Sequence, residues 1–143
     1  MIRKLEKKDI SFIRSYPGQM IGSADSAEAI EKVIFERKDA RYYILDDDAP
    51  KGYIGLHQDV NQADIVTLYV PEPYRQQKVA TKLLEYAIAM TQKEGVKKIT
   101  LEVSDRNLYA IHLYQKMGFE KVHSRKEYYE DLSDAWVMMK EFK

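Results

Sequence analysis

The stretch Val70-Pro71-Glu72-Pro73-Tyr74-Arg75-Gln76-Gln77-Lys78-Val79-Ala80 is the part of the chain with the clearest chemical potential. Two prolines end an apolar run, and a polar, positively charged turn then feeds directly into a helical pattern. The first turn of a helix leaves N–H groups without intrahelical acceptors and carries a partial positive charge, so such a junction can hold a phosphate or pyrophosphate. Arg75 and Lys78 would add formal charge there. An ordinary solvated strand-to-helix turn has the same composition, and spacing alone does not separate the two. Other chemistries are excluded more firmly. The chain has no cysteine, which removes disulfides, thiolate zinc sites and a cysteine nucleophile. His57, His112 and His123 have no metal-ligand spacing, and there is no Gly-x-Ser-x-Gly elbow. No metal is expected.

The elements that would position this junction follow from periodicity. Lys7–Asp9 with Ile10, Phe12 and Ile13 predicts a short first helix, stopped near Pro17-Gly18. Ser23 or Asp25 would cap a second helix carrying Ala27, Ile30, Val33 and Ile34 at helical spacing. Arg41–Leu45 and Tyr53–His57 read as strands joined through the turn-rich Asp46–Gly52, and Ile65–Val70 as a strand apolar on both faces, hence central. From Val79 to Glu94 the period becomes helical, with Val79, Leu83, Ala87 and Met90 in one stripe and Gly95 at the C-terminal cap. Lys98–Val103 is the next strand, Leu108–Lys116 a shorter helix ending at Gly118, and Phe119–His123 and Ala135–Phe142 the last strands. Strand, long helix and strand in that order imply a parallel βαβ unit with a right-handed crossover.

Length and composition bound the rest. At 143 residues the chain is read as one domain, residues 1–143. A hydrophobic share of 45% with only 6 Gly and 4 Pro excludes collagen-like and disordered classes. Lys+Arg and Asp+Glu both number 23, and zero net charge argues against nucleic acid as the main partner. The charged Met1–Asp9 lacks the apolar core of a secretory signal. No apolar run approaches the about 20 residues of a membrane span. A cytoplasmic location with no membrane partner is the expectation.

Val70…Arg75-Gln76-Gln77-Lys78-Val79-Ala80…Leu83-Leu84 resembles the acetyl-CoA motif of the GCN5-related N-acetyltransferases (GNAT), written Arg/Gln-x-x-Gly-x-Gly/Ala. Leu101-Glu102-Val103, Asn107-x-x-Ala110 and Leu113–Phe119 look like the second signature of that superfamily. Tyr128-Tyr129 with Asp134–Met139 is similar to its branch that acetylates protein N-termini, the ribosomal-protein alanine acetyltransferases included. The resemblance covers Ile65–Phe142 specifically and the first 64 residues only in topology. It departs at two positions: Lys78 stands where the family has its central Gly, and Gln76 where a further Gly is common. Lys78 in helical conformation could still turn its backbone N–H toward a phosphate.

The resemblance implies an α/β (α+β) fold: a mixed, mostly antiparallel sheet with one parallel crossover and helices on both faces. It implies acetyl-CoA as co-substrate, with the backbone of Leu68, Tyr69 and Val70 receiving the acetyl carbonyl and pantetheine arm. The loop Arg75, Gln76, Gln77, Lys78, Val79, Ala80 and Thr81 would wrap the pyrophosphate, and Asn107 would contact the cofactor or cap its helix. Tyr114 would protonate the leaving thiolate, Glu102 would act as base through water, and Tyr128 and Tyr129 would wall the acceptor channel. Asn107 and Tyr114 are two helical turns apart and can share a face, while Glu102 projects opposite Leu101 and Val103. Glu127, Glu130 and Asp131 form an acidic rim suited to a cationic amine. The implied acceptor is a primary amine, with a protein N-terminal α-amine favoured. A small amine such as a polyamine or aminoglycoside, or a CoA-binding module without catalysis, is the alternative. Oligomeric state is not encoded in any of these patterns.

Overall fold

The computed structural model describes residues 1–17 and 26–142. Its strands are β1 (Ile2–Lys4), β2 (Ala40–Asp46), β3 (Pro50–Gln58), β4 (Gln62–Tyr69), β5 (Lys98–Ser104), β6 (Glu120–Arg125) and β7 (Ala135–Glu141). Its α-helices are α1 (Ile10–Ser15), α2 (Ala27–Glu31), α3 (Val79–Lys93) and α4 (Leu108–Lys116). The strands form one sheet in the order β1-β2-β3-β4-β5-β7-β6, so β4 is central, as its two-faced apolarity predicts. Every pairing is antiparallel except β4 with β5, which α3 connects.

Alternation along the strands sends side chains to two cores. Tyr43, Leu45, Ile54 and Leu56 join Leu83, Leu84 and Ala87 of α3 and Ile111 of α4 on one face. Tyr42, Ile44 and Tyr53 meet Ile10 and Ile13 of α1, Ile30 of α2 and Ile34 on the other. Helices on both faces therefore follow from the period-2 pattern of β2 and β3.

Three expectations change. The capping residue of α2 is Ser26, whose Oγ accepts from the N–H of Ala29 at 3.1 Å; Gly18, Ser23 and Asp25 lie outside the described residues. The second helix is α-helical only to Glu31 and continues as a π-turn over Lys32–Glu36. The segment Ile2–Lys4 is a strand, paired with β2 from Ile2↔Leu45 to Lys4↔Tyr43. It delivers Arg3 to Asp9 at the start of α1: Nη1 and Nη2 donate to Asp9 Oδ2 and Oδ1 at 2.8 and 2.9 Å, and Nη2 also donates to Asp46 Oδ2 at 2.9 Å. Arg3 of β1 thus couples β2, through Asp46, to α1, through Asp9, which is 3% exposed.

Candidate active site between parted strands

The site begins where the parallel pairing stops. Pairing of β4 with β5 runs from Gln62↔Lys98 to Ile65↔Leu101, and the strands part beyond that point. On its other edge β4 carries a bulge: Leu56 faces Ile65 and Gly55 faces Thr67, leaving Val66 as the extra residue. A bulge bends its strand and raises local twist, which accounts for the departure of β4 from β5. The opening is a cleft of about 810 Å³, walled by Ile65–Val70 on one side and Leu101–Ser104 on the other. α4 contributes Ala110, Leu113 and Tyr114 to its side, and the β4–α3 loop closes one end with Arg75, Gln76 and Lys78.

That loop departs from the helical expectation for Lys78. Gln76 and Lys78 both lie in the left-handed region, with φ of +66° and +63°. These are the two positions where the resembled motif has glycine, so the backbone retains the glycine shape without the glycines. The first α3 bond runs from the N–H of Lys82 to the carbonyl of Lys78, which leaves the N–H groups of Val79, Ala80 and Thr81 without helical acceptors. Left-handed residues followed by a helix start form a concavity of N–H groups suited to an anion. The Arg75 Nε donates to the carbonyl of Val70 at 2.9 Å, so this side chain also fastens the loop to the end of β4. Gln77 and Thr81 do not line the cleft; Gln77 Nε2 turns back to the carbonyl of Pro73 at 3.3 Å.

A left-handed conformation costs an L-residue about 1–2 kcal/mol, while glycine gives back about 0.5–1 kcal/mol in chain entropy. Lys78→Gly is therefore expected to stabilise the fold by about 0.5–1 kcal/mol and to leave acetyl-CoA affinity equal or tighter. Thermal unfolding and titration calorimetry check this. A clear loss of affinity would mean that the exposed ammonium itself grips the ligand.

Leu68, Tyr69, Val70, Val79, Ala80, Glu102, Asn107 and Tyr114 all line the cleft. Asn107 Oδ1 accepts from the N–H of Ala110 at 3.2 Å, so it caps α4 while facing the cleft. Tyr114 is 8% exposed and packs edge-on against Phe119 at 5.8 Å. Burial, with a smaller contribution from Tyr129, pushes its phenol up to about 12. It is a proton-loaded group at any physiological pH. Glu102 stands on β5 between buried Leu101 and Val103 and pairs with Arg125, Oε1 to Nε 3.3 Å. Tyr128 and Tyr129 are edge-on at 5.1 Å in the β6–β7 loop, outside the cleft lining. That loop is tied to the end of β5 by the Ser104 and Ser133 hydroxyls at 2.7 Å and by the Asp105 N–H to the Asp134 carbonyl at 2.9 Å. Sequence reasoning missed Tyr74, Tyr109 and Pro17, which also line the cleft. Tyr109 is a large aromatic left 69% exposed two residues after the Asn107 cap.

The acetyltransferase (GNAT) family profile matches residues 9–119. The chain belongs to this family of N-acetyltransferases. It is 25% identical over 145 aligned positions to a putative ribosomal protein bS18-alanine N-acetyltransferase of Bacillus subtilis, covering 98% of this chain and 96% of that protein. Over 80 residues it is 40% identical to an N-alpha-acetyltransferase of Saccharolobus solfataricus, covering 55% of this chain and 48% of that protein. The GNAT chain thus spans about half the length of that archaeal relative. The ribosomal-protein-S18-alanine N-acetyltransferase of Escherichia coli shares its fold, with a TM-score of 0.83 at 23% identity over 99% of this chain and 92% of that one. So does the spermidine N-acetyltransferase of Vibrio cholerae in complex with CoA and spermine, with a TM-score of 0.85 at 19% identity over 97% and 93%. Among the described residues no helix is long and apolar enough to cross a membrane.

Proposed function

We propose that this GNAT chain transfers the acetyl group of acetyl-CoA to the α-amine of a protein N-terminus. The observation that carries the reading is the cleft itself, with an anion-suited helix start at one end and a carboxylate and a proton-loaded phenol farther along its walls. An elongated thioester with a pyrophosphate fits that order of groups: N–H donors of the α3 start toward phosphate, main chain of Leu68–Val70 along the arm, Tyr114 and Glu102 toward the thioester. An α-amine has a pKa of about 7.7–8.0, so a single modest base suffices. Glu102 takes the proton of the α-ammonium through water, and the amine nitrogen then attacks the thioester carbon. The C–N bond forms, the C–S bond breaks, and the Tyr114 hydroxyl supplies a proton to the departing sulfur. With no cysteine in the chain, direct attack is the simplest route. The name of the full-length Bacillus relative supports a protein N-terminus as acceptor.

Mass spectrometry of the purified protein with acetyl-CoA tests the reading against a panel of Ala-, Ser- and Met-initiated peptides, spermidine and an aminoglycoside. A single acetyl added to the peptide α-amine is expected. Acetylation of spermidine alone would overturn the acceptor assignment, and acetyl-CoA binding with no product would mark a binding module.

A further inference from the structure

We propose that Arg125 is a positioning residue that cancels the field of Glu102 at the acceptor amine, so that the bound ammonium gives up its proton more readily. The inference rests on the reading of Glu102 as base. Glu102 faces Val137 across the β5–β7 pairing, while Arg125, on β6, faces Ala135. Arg125 therefore reaches diagonally across β7 to place its Nε 3.3 Å from Glu102 Oε1, and its guanidinium lies 5.8 Å from the Tyr128 ring. The side chains are 51% and 34% exposed. A pair so open to water contributes little to folding, so stability does not account for a cation paired with a carboxylate of the cleft wall.

Its chemical consequence is specific. A lone carboxylate beside an ammonium raises the amine pKa and stabilises the form that cannot attack. A carboxylate already paired with a guanidinium presents no net charge, yet keeps its second oxygen to accept a proton. The proton passes from the ammonium nitrogen to Glu102 Oε2 through water and then to solvent, while Arg125 stays charged throughout. The ionisable groups beside this pair include His123, which like Glu102 faces Val137 of β7, and Tyr128, whose ring lies against Arg125. Of these side-chain types only an imidazole ordinarily titrates near neutrality, so His123→Gln is the control.

The test is the pH dependence of kcat, which reports groups in the bound complex, with saturating acetyl-CoA and an N-terminal peptide. Arg125→Gln is expected to move the acid limb upward by about one pH unit, lowering the rate about tenfold at pH 7 with recovery near pH 9. Arg125→Lys should restore the limb, and His123→Gln should leave it in place. An Arg125→Gln limb that does not move, or a loss equal at every pH, overturns the proposal. Glu102→Gln distinguishes the two layers. Retained turnover in that variant removes the base reading and this proposal with it, whereas lost turnover with an unmoved Arg125→Gln limb removes only the role of Arg125.

Discussion

Tyr114→Phe is expected to lower kcat by about 10²–10⁴-fold, the usual worth of a positioned acid, with little change in acetyl-CoA affinity or stability. The ring keeps its edge-on contact with Phe119 and its place in the α3–α4 core, so only the hydroxyl is lost. Its proton is needed as the sulfur departs and not before, which puts the effect on the chemical step. The phenol, pushed up to about 12, also sets a pH expectation. Raised above the ordinary tyrosine value, it stays protonated well into the alkaline range, so the wild-type rate should show no loss from this group below about pH 11. Single-turnover acetyl transfer across pH 6–10 measures both. Near wild-type turnover in the Phe variant would leave Tyr114 as a core residue only.

The largest stability effect should come from a residue far from the chemistry. Asp9→Ala breaks a buried ion pair by removing one partner, a change that costs about 3–5 kcal/mol. The lower figure applies because Arg3 keeps Asp46 at 2.9 Å. A loss of about 3 kcal/mol lowers the melting temperature by roughly 6–12 °C in a domain of this size. Burial alone would raise the Asp9 carboxyl, but the two bonds from Arg3, with one from the Glu6 N–H, hold it below the ordinary carboxylate range. A depressed folded-state pKa contributes stability that is complete above the ordinary value of about 3.9 and is lost as pH falls through the folded value. The gap in urea midpoint between wild type and Asp9→Ala should therefore narrow as pH is lowered below about 3.9. A constant gap between them would mean that Asp9 acts through packing rather than charge.

Much of the frame was legible because its signals are local. The helix Leu108–Lys116 was read with its observed bounds, since Asn107 caps one end and Gly118, at φ +96°, ends the other. The α3 stripe was equally clear, and with the strands on either side it specified the parallel crossover that becomes the cleft. Residues 2–4 gave no such signal. Three residues, two of them basic, are too short to show a period, and they form a strand only because β2 offers an edge. The left-handed shape at Gln76 and Lys78 was also invisible, because neither residue type carries a preference for positive φ. Resemblance marked the positions, and the backbone supplied their meaning. Tyr74 and Tyr109 were missed for a different reason: a cleft wall assembled from separate elements has no footprint in any one window.

The parting of β4 from β5 has a consequence for how freely the chain can drift. Beyond Ile65↔Leu101 the facing edges of the two strands no longer pair with each other, and the peptide groups left along them are written in a script that nearly all amino acids share. Side chains along Leu68–Val70 can be exchanged while the row of main-chain donors and acceptors they hang from persists. Proline is the exception, because it deletes the donor outright. If the main chain carries recognition as proposed, that recognition can outlast most of the letters that first encoded it.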